Sequence, residues 1–184
     1  MFLEVDLGIA RIKTTIAKYQ KQVDEAIQAL MSSSMNRNRL IGLDTIQWQT
    51  PSGKSKIALL QLSDGSQCLI VRIVYFYRLP QSLFNFLSFP GFTFVGFGIK
   101  DAMASLREEH GLVCKNVLEA GHSGSRSSML YLVKNELRTM PIPPIHYMPA
   151  TWCPEDDLTD DLVKLAVSNA HTAFRIRDKL IFYP

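Results

Sequence analysis

Residues 39–48 read Arg39-Leu40-Ile41-Gly42-Leu43-Asp44-Thr45-Ile46-Gln47-Trp48, an apolar strand that ends in an acid. A carboxylate at the end of a core strand is costly unless it is solvated, paired or bound to a metal. Asp44 therefore either opens the following turn or is a functional group. Around this strand the chain alternates between two kinds of pattern. Pro51-Ser52-Gly53-Lys54 is a turn, and residues 56–62 and 67–73 are strands on either side of a second turn, Asp64-Gly65. Residues 92–99, rich in β-branched and aromatic side chains, predict a further buried strand, and 115–118 a short one.

Helices are expected between and after these strands. Val23, Ile27 and Leu30 recur at helical spacing within 18–31. Pro80 suits the first turn of a helix reaching residue 87. Residues 101–110 and 127–137 read as helices, and 159–180 as a long closing helix. The segments 32–39 and 140–148 are polar or proline-rich loops. Strands that come first together and then alternate with helices argue for an α/β domain with a mixed central β-sheet flanked by helices.

The chain has 184 residues, 47% hydrophobic and 20% charged, with a mean hydropathy of +0.04. One domain over residues 1–184 is expected from that length. The composition supports a packed core and excludes disorder for the bulk of the chain. Its longest apolar stretch, 92–99, is far short of the ~20 residues that span a bilayer, so no membrane association is expected. Met1-Phe2-Leu3-Glu4-Val5-Asp6 carries acids where a secretory signal has a basic head and an apolar run, so the cytoplasm or nucleus is the expected location. A net charge of +3 permits nucleic-acid binding without announcing it. Cys68, Cys114 and Cys153 have neither zinc-ligand nor redox spacing and read as free thiols of a reducing compartment.

Three phrases carry more than pattern: KIALLQLSDGSQCLI at 56–70, FTFVGFGIKD at 92–101 and LREEHGLVCKN at 106–116. With the Asp44 strand before them and Trp152, Leu158-Thr159 and residues 164–170 after them, they resemble the exonuclease domain of the Werner-syndrome type. That family belongs to the RNase H-like group of 3′–5′ exonucleases with a DEDD carboxylate set. The resemblance runs from about residue 9 to 180, and LREEHGLVCKN is most similar to short single-domain members of plants. It implies the RNase H-like (3′–5′ exonuclease) fold.

The resemblance also implies a chemistry. Such enzymes use two divalent ions, Mg²⁺ or Mn²⁺, which clamp the scissile phosphate and activate water. Their ligands are an Asp-x-Glu on the first core strand, an Asp at a helix start and an Asp on the last helix, with a Tyr one turn before it. Asp44 matches the first Asp and is the one retained metal ligand. Gln47 stands at the Glu, with one residue, Thr45 or Ile46, extra before it. Such an extra residue reverses the facing of every later side chain in the strand unless a bulge absorbs it. Ala102 stands at the helix-start Asp, Asn169 at the last Asp and Leu165 at the Tyr, while Asp101 is a possible substitute one position early. One of four carboxylates cannot hold two dications, so the resemblance implies a catalytically impaired homologue without a metal cofactor. It would bind single-stranded nucleic acid, or assemble with itself or with an active paralogue. The alternative is an active metal-dependent exonuclease in which a second subunit lends an acid. Asp101, Glu119, Glu155, Asp156, Asp157, Asp160 and Asp161 are candidates, each also readable as a solvated surface charge or a helix N-terminal acid.

Gly121-His122-Ser123-Gly124 does not meet the Gly-x-Ser-x-Gly pattern of a nucleophile elbow. His171 lies two residues past Asn169 and is expected to point away from it, and His110 and His146 lack ligand-spaced partners. Arg175, Arg177 and Lys179 with Lys54 and Lys56 are either a phosphate-facing rim or solvated charges. Tyr75-Phe76-Tyr77 is either core or an apolar contact surface.

Overall fold

The computed structural model describes residues 2–121, 133–134 and 142–182, the last three as backbone only. Its centre is a seven-stranded mixed sheet made of β1 (Leu3–Asp6), β2 (Arg11–Ala17), β3 (Leu40–Gln49), β4 (Ser55–Ser63), β5 (Gln67–Arg72), β6 (Thr93–Gly96) and β7 (Val117–Glu119), in the order β1-β2-β5-β4-β3-β6-β7. Five strands, β5-β4-β3-β6-β7, form the heart, with β4 antiparallel to both neighbours and β6 and β7 parallel to β3. The strands β1 and β2 extend the sheet beyond β5 and lie in a segment whose pattern predicted no element. β1 has only four residues, and β2 alternates exposed Arg11 and Lys13 with buried Ile12 and Thr14 before the alternation lapses at Thr15 and Ile16.

Helices cover both faces, as expected. On one side α1 (Gln20–Ser32), α2 (Gln81–Ser88) and α3 (Ile99–His110) bury Val23, Ile27, Leu30, Leu83, Phe86 and Leu106 against Ile41, Leu43, Leu62, Leu69 and Phe94. On the other side α4 (Asp160–Phe182) packs Val163, Ala166 and Val167 on Ile46, Leu59 and Ile70. Both faces of β3 are therefore buried, which explains its nearly continuous apolar run. The edge-to-face pair Trp48–Trp152, with centroids 5.8 Å apart, ties the end of β3 to the segment that leads into α4.

Two boundaries differ from the sequence reading for local reasons. The 92–99 run is a strand only to Gly96, because Gly98 takes the left-handed conformation at φ 63° and begins α3. Glu119 then accepts from Gly98 N at 2.9 Å and Ile99 N at 3.3 Å, which caps the helix. The helix expected at 127–137 and His122 lie outside the described residues, apart from Val133 and Lys134. Among the described residues no helix is long and apolar enough to cross a membrane. Cys68 is buried, Cys114 half-buried and Cys153 exposed, all as free thiols.

Candidate functional site

Strand alternation sorts the residues at the end of β3. Asp44 and Ile46 face α4, whereas Thr45 and Gln47 face α3. The sheet does carry a bulge here, but on the partner strand: Ile46 pairs with Leu59 and Gln47 with Ile57, leaving Ala58 without a partner. Thus β3 keeps its period, and the three-residue spacing puts Gln47 on the opposite face from Asp44. The structure divides the expected residues into two groups.

The first group is buried. Asn169 Nδ2 donates to Asp44 Oδ2 and to the Ile145 carbonyl, both at 2.7 Å. Two acceptors fix which end of the amide is the donor. Asp44 is 8% exposed and Asn169 2%. Gln61 of β4 lies directly opposite Asp44 in the register and is fully buried. Among the described residues neither end of its amide, nor Asn169 Oδ1, has a hydrogen-bond partner. Gln61 was missed by the sequence reading; its one signal is a polar residue inside the apolar run 57–62. Leu165 is half-buried one turn before Asn169 and supplies no polar atom.

The second group lines an open cavity of about 240 Å³: Thr45, Gln47, Asp101, Ala102, Ser105 and Tyr147, with His146 beside them. Ala102 is buried, and Asp101, a turn of roughly 100° away, is exposed at the rim. Gln47 is held by its own contacts. Its N–H donates to His146 O at 2.8 Å, Met148 N donates to its carbonyl at 2.7 Å, and its Oε1 accepts from Ser55 Oγ. The 146–148 segment, expected as loop, thus hydrogen-bonds to the β3 edge beyond the end of β6, with Tyr147 bridging to Gln47.

The remaining acids are already engaged or peripheral. Glu119 caps α3, Asp156 accepts from Cys153 N at 2.8 Å, and Asp157 pairs with Lys18 at 2.6 Å. Glu155, Asp160 and Asp161 are exposed. Among the described residues, no three His, Cys, Asp or Glu side chains converge to hold a metal ion.

The basic rim does not form. Helix α4 runs antiparallel to β3, with Asn169 at Asp44, Ala170 at Gly42 and Asp178 bonded to Asn38 at 2.8 Å. Arg175, Arg177 and Lys179 therefore sit by the start of β3, while Lys56 pairs with Trp48 near its end. Nine residues of strand separate them by roughly 30 Å.

His171 is 1% exposed and has no hydrogen-bond partner on either ring nitrogen among the described residues, so it is buried as a neutral ring. Burial pushes its pKa down to about 4, with Arg175 adding to the effect and Asp64 opposing it. The unfolded chain binds that proton near the ordinary pH of about 6.5. Stability is therefore full above pH 6.5 and falls toward pH 4, by about 2 kcal/mol between pH 7.5 and 5. Urea midpoints measured across this range are expected to show the slope, and His171→Gln to flatten it. An unchanged slope in that variant removes the assignment.

No family model matches the sequence, and no curated protein matches it. Solved structures do match. The catalytic core of RRP6 from Trypanosoma brucei aligns with a TM-score of 0.70 at 16% identity, over 96% of this chain and 48% of that one. Trypanosoma brucei RNase D aligns with a TM-score of 0.73 at 15% identity, over 91% of this chain and 64% of that one. The EXD2 exonuclease domain aligns at 0.54 and 20% identity, over 92% of this chain and 89% of that one. The chain thus spans about half of the RRP6 core and about two thirds of RNase D. At these identities the likeness establishes the fold alone: an RNase H-like sheet of the 3′–5′ exonuclease kind.

Proposed function

We propose that this 3′–5′ exonuclease-like domain binds single-stranded nucleic acid without hydrolysing it, through a cleft whose metal-binding chemistry has been neutralised. The observation that carries the reading is the Asn169 amide, which donates at 2.7 Å to both Asp44 Oδ2 and Ile145 O. Its positive end lies between the two oxygens and so competes with any cation for them. The EXD2 domain was studied after soaking with Mg and GMP, and such hard ions take oxygen ligands. A pair of these ions does not fit the donors present here. They repel one another at ~4 Å and need several carboxylates between them. Asp44 contributes one carboxylate, Asn169 aims an amide donor at it, and Ala102 and Leu165 add only hydrocarbon.

The α3-side cavity supports the binding half of the reading. Gln47, Ser105 and Thr45 give it neutral hydrogen-bonding groups, and Tyr147, 56% exposed, offers a ring on which a base can stack. Binding to a single-stranded oligonucleotide is expected to depend only weakly on salt, because among the described residues no Lys or Arg lines the cavity. Tyr147→Ala is expected to weaken it about tenfold, the worth of one stacked base. Incubation with single-stranded RNA and DNA in Mg²⁺ or Mn²⁺ is expected to leave the strands intact. Trimming that disappears in Asp44→Ala overturns the proposal. A role in assembly, with a second copy or with a paralogue that keeps the carboxylates, is its companion, tested by the mass in solution from light scattering.

A further inference from the structure

Arg72, at the end of β5, is the bulkiest fully buried side chain among the described residues. Its Nη2 donates to Pro154 O at 2.9 Å and Asp156 O at 2.6 Å. Its Nε and Nη1 have no hydrogen-bond partner among the described residues. A buried guanidinium with unpartnered donors is costly unless something negative meets it. The nearest acid is Asp157, whose Oδ1 is 3.6 Å from Nη1, too long for a hydrogen bond. The same oxygen accepts from Lys18 Nζ at 2.6 Å. Tyr75 lies under both cations, 4.3 Å from Arg72 and 5.2 Å from Lys18.

Lys18, Arg72 and Asp157 line a cavity of about 400 Å³ together with Gln22, and its remaining walls are apolar, formed by Phe2, Leu3, Ile16 and Leu158. Two cations and one carboxylate leave the polar end with a net positive charge. That carboxylate belongs to a side chain 84% exposed, whose hydrogen-bond and ion-pair contacts are to these two cations. Turning outward costs it the pair with Lys18 and the pair with buried Arg72, and an incoming anion restores both. An anion in the place of Asp157 Oδ1 would face Arg72 Nη1 and Lys18 Nζ together, two charged donors to one oxyanion.

We propose that this cavity binds a small organic anion, with a carboxylate or phosphate head against Arg72 and Lys18 and an apolar body along Phe2, Leu3, Ile16 and Leu158. Asp157 holds the position of that head in the ligand-free protein and competes with it. The proposal does not depend on the nucleic-acid reading, since it uses the β2–β5 end of the sheet and the segment before α4. Octanoate and octyl phosphate are suitable probes, one for each head group, and octanol shares their body without the charge.

Calorimetric titration of the full chain tests the proposal. The expected result is saturable one-to-one binding of octanoate or octyl phosphate, with the stronger of the two identifying the head. Octanol is expected to give no saturable binding. Asp157→Asn removes the competitor and is expected to tighten binding about tenfold, and Lys18→Gln to weaken it about tenfold. Glu155→Gln, an exposed acid in the same segment, is expected to change nothing, which separates a local effect from net charge. Octanol binding as tightly as octanoate overturns the proposal. So does binding that ignores both Asp157→Asn and Lys18→Gln, or no saturation by about 10 mM even in Asp157→Asn.

Discussion

Asn169→Asp is expected to lower stability at pH 7 by about 4 kcal/mol, the cost of leaving buried charge uncompensated. The substitution is nearly isosteric, so the loss is electrostatic. In the parent protein one amide N–H₂ meets two acceptors at 2.7 Å, Asp44 Oδ2 and Ile145 O. In the variant a carboxylate oxygen meets the same two acceptors, at a site where Asp44 is 8% exposed and position 169 is 2% exposed. Two carboxylates at that distance do not both ionise, and one must hold a proton. The folded variant therefore carries an acid whose pKa is raised above its unfolded value of about 4. The deficit is full at neutral pH and shrinks as pH falls, because the protonated acid restores a donor. Urea unfolding of variant and parent at matched pH reads the difference and cancels the His171 slope common to both. Mn²⁺ is expected to raise the midpoint of the variant and leave the parent unchanged, since only the variant offers one cation two carboxylates. Equal stability of the two proteins at pH 7 removes the electrostatic account of the site.

Gly42→Ala is expected to cost about 3 kcal/mol or more, and to disturb the same site from a distance. A Cβ at position 42 would lie 1.9 Å from Ala170 O, 2.9 Å from Ala170 C and 3.0 Å from Phe174 Cβ. The first two obstacles are backbone, so no rotamer change relieves them. Helix α4 must retreat by roughly 1 Å, because close-packed interiors have no slack to absorb the methyl. Asn169 precedes Ala170 on that helix and moves with it, and its 2.7 Å contact with Asp44 lengthens. The two substitutions should then be non-additive: Asn169→Asp is expected to cost less in the Gly42→Ala background than in the parent. Additive costs in a double-mutant cycle, or a Gly42→Ala variant as stable as the parent, count against close approach of α4 as the device that sets the site.

These two predictions draw on different amounts of sequence. The strands β3, β4 and β5 and the helices α1, α2 and α4 were legible because their apolar periods are long and unbroken. The edge strand β1 was not, because four residues carry almost no period, and the alternation in β2 covers only Arg11 to Thr14 before it lapses. Asp44 stood out by its chemistry, a charge closing a core strand, whereas Gln61 was passed over because a lone glutamine in an apolar run has no motif around it. The basic residues at 54–56 and 175–179 read either as one rim or as solvated charges, and the antiparallel run of α4 over β3, which puts them at opposite ends of the sheet, excludes the single rim.

By itself the sequence determined the order of the elements from α1 to α3, the closing helix, the mixed sheet between helices, and the residue types at each compared position, because these depend on local period and side-chain identity. Only the tertiary structure decided that Asp44 meets Asn169 while Gln47 turns to Asp101 and Ala102 across the strand. Facing depends on strand register, on which strand of a pair takes up the bulge, and on how closely a helix more than 120 residues away can approach a glycine. Those quantities are set by long-range packing, and no window of neighbouring residues contains them.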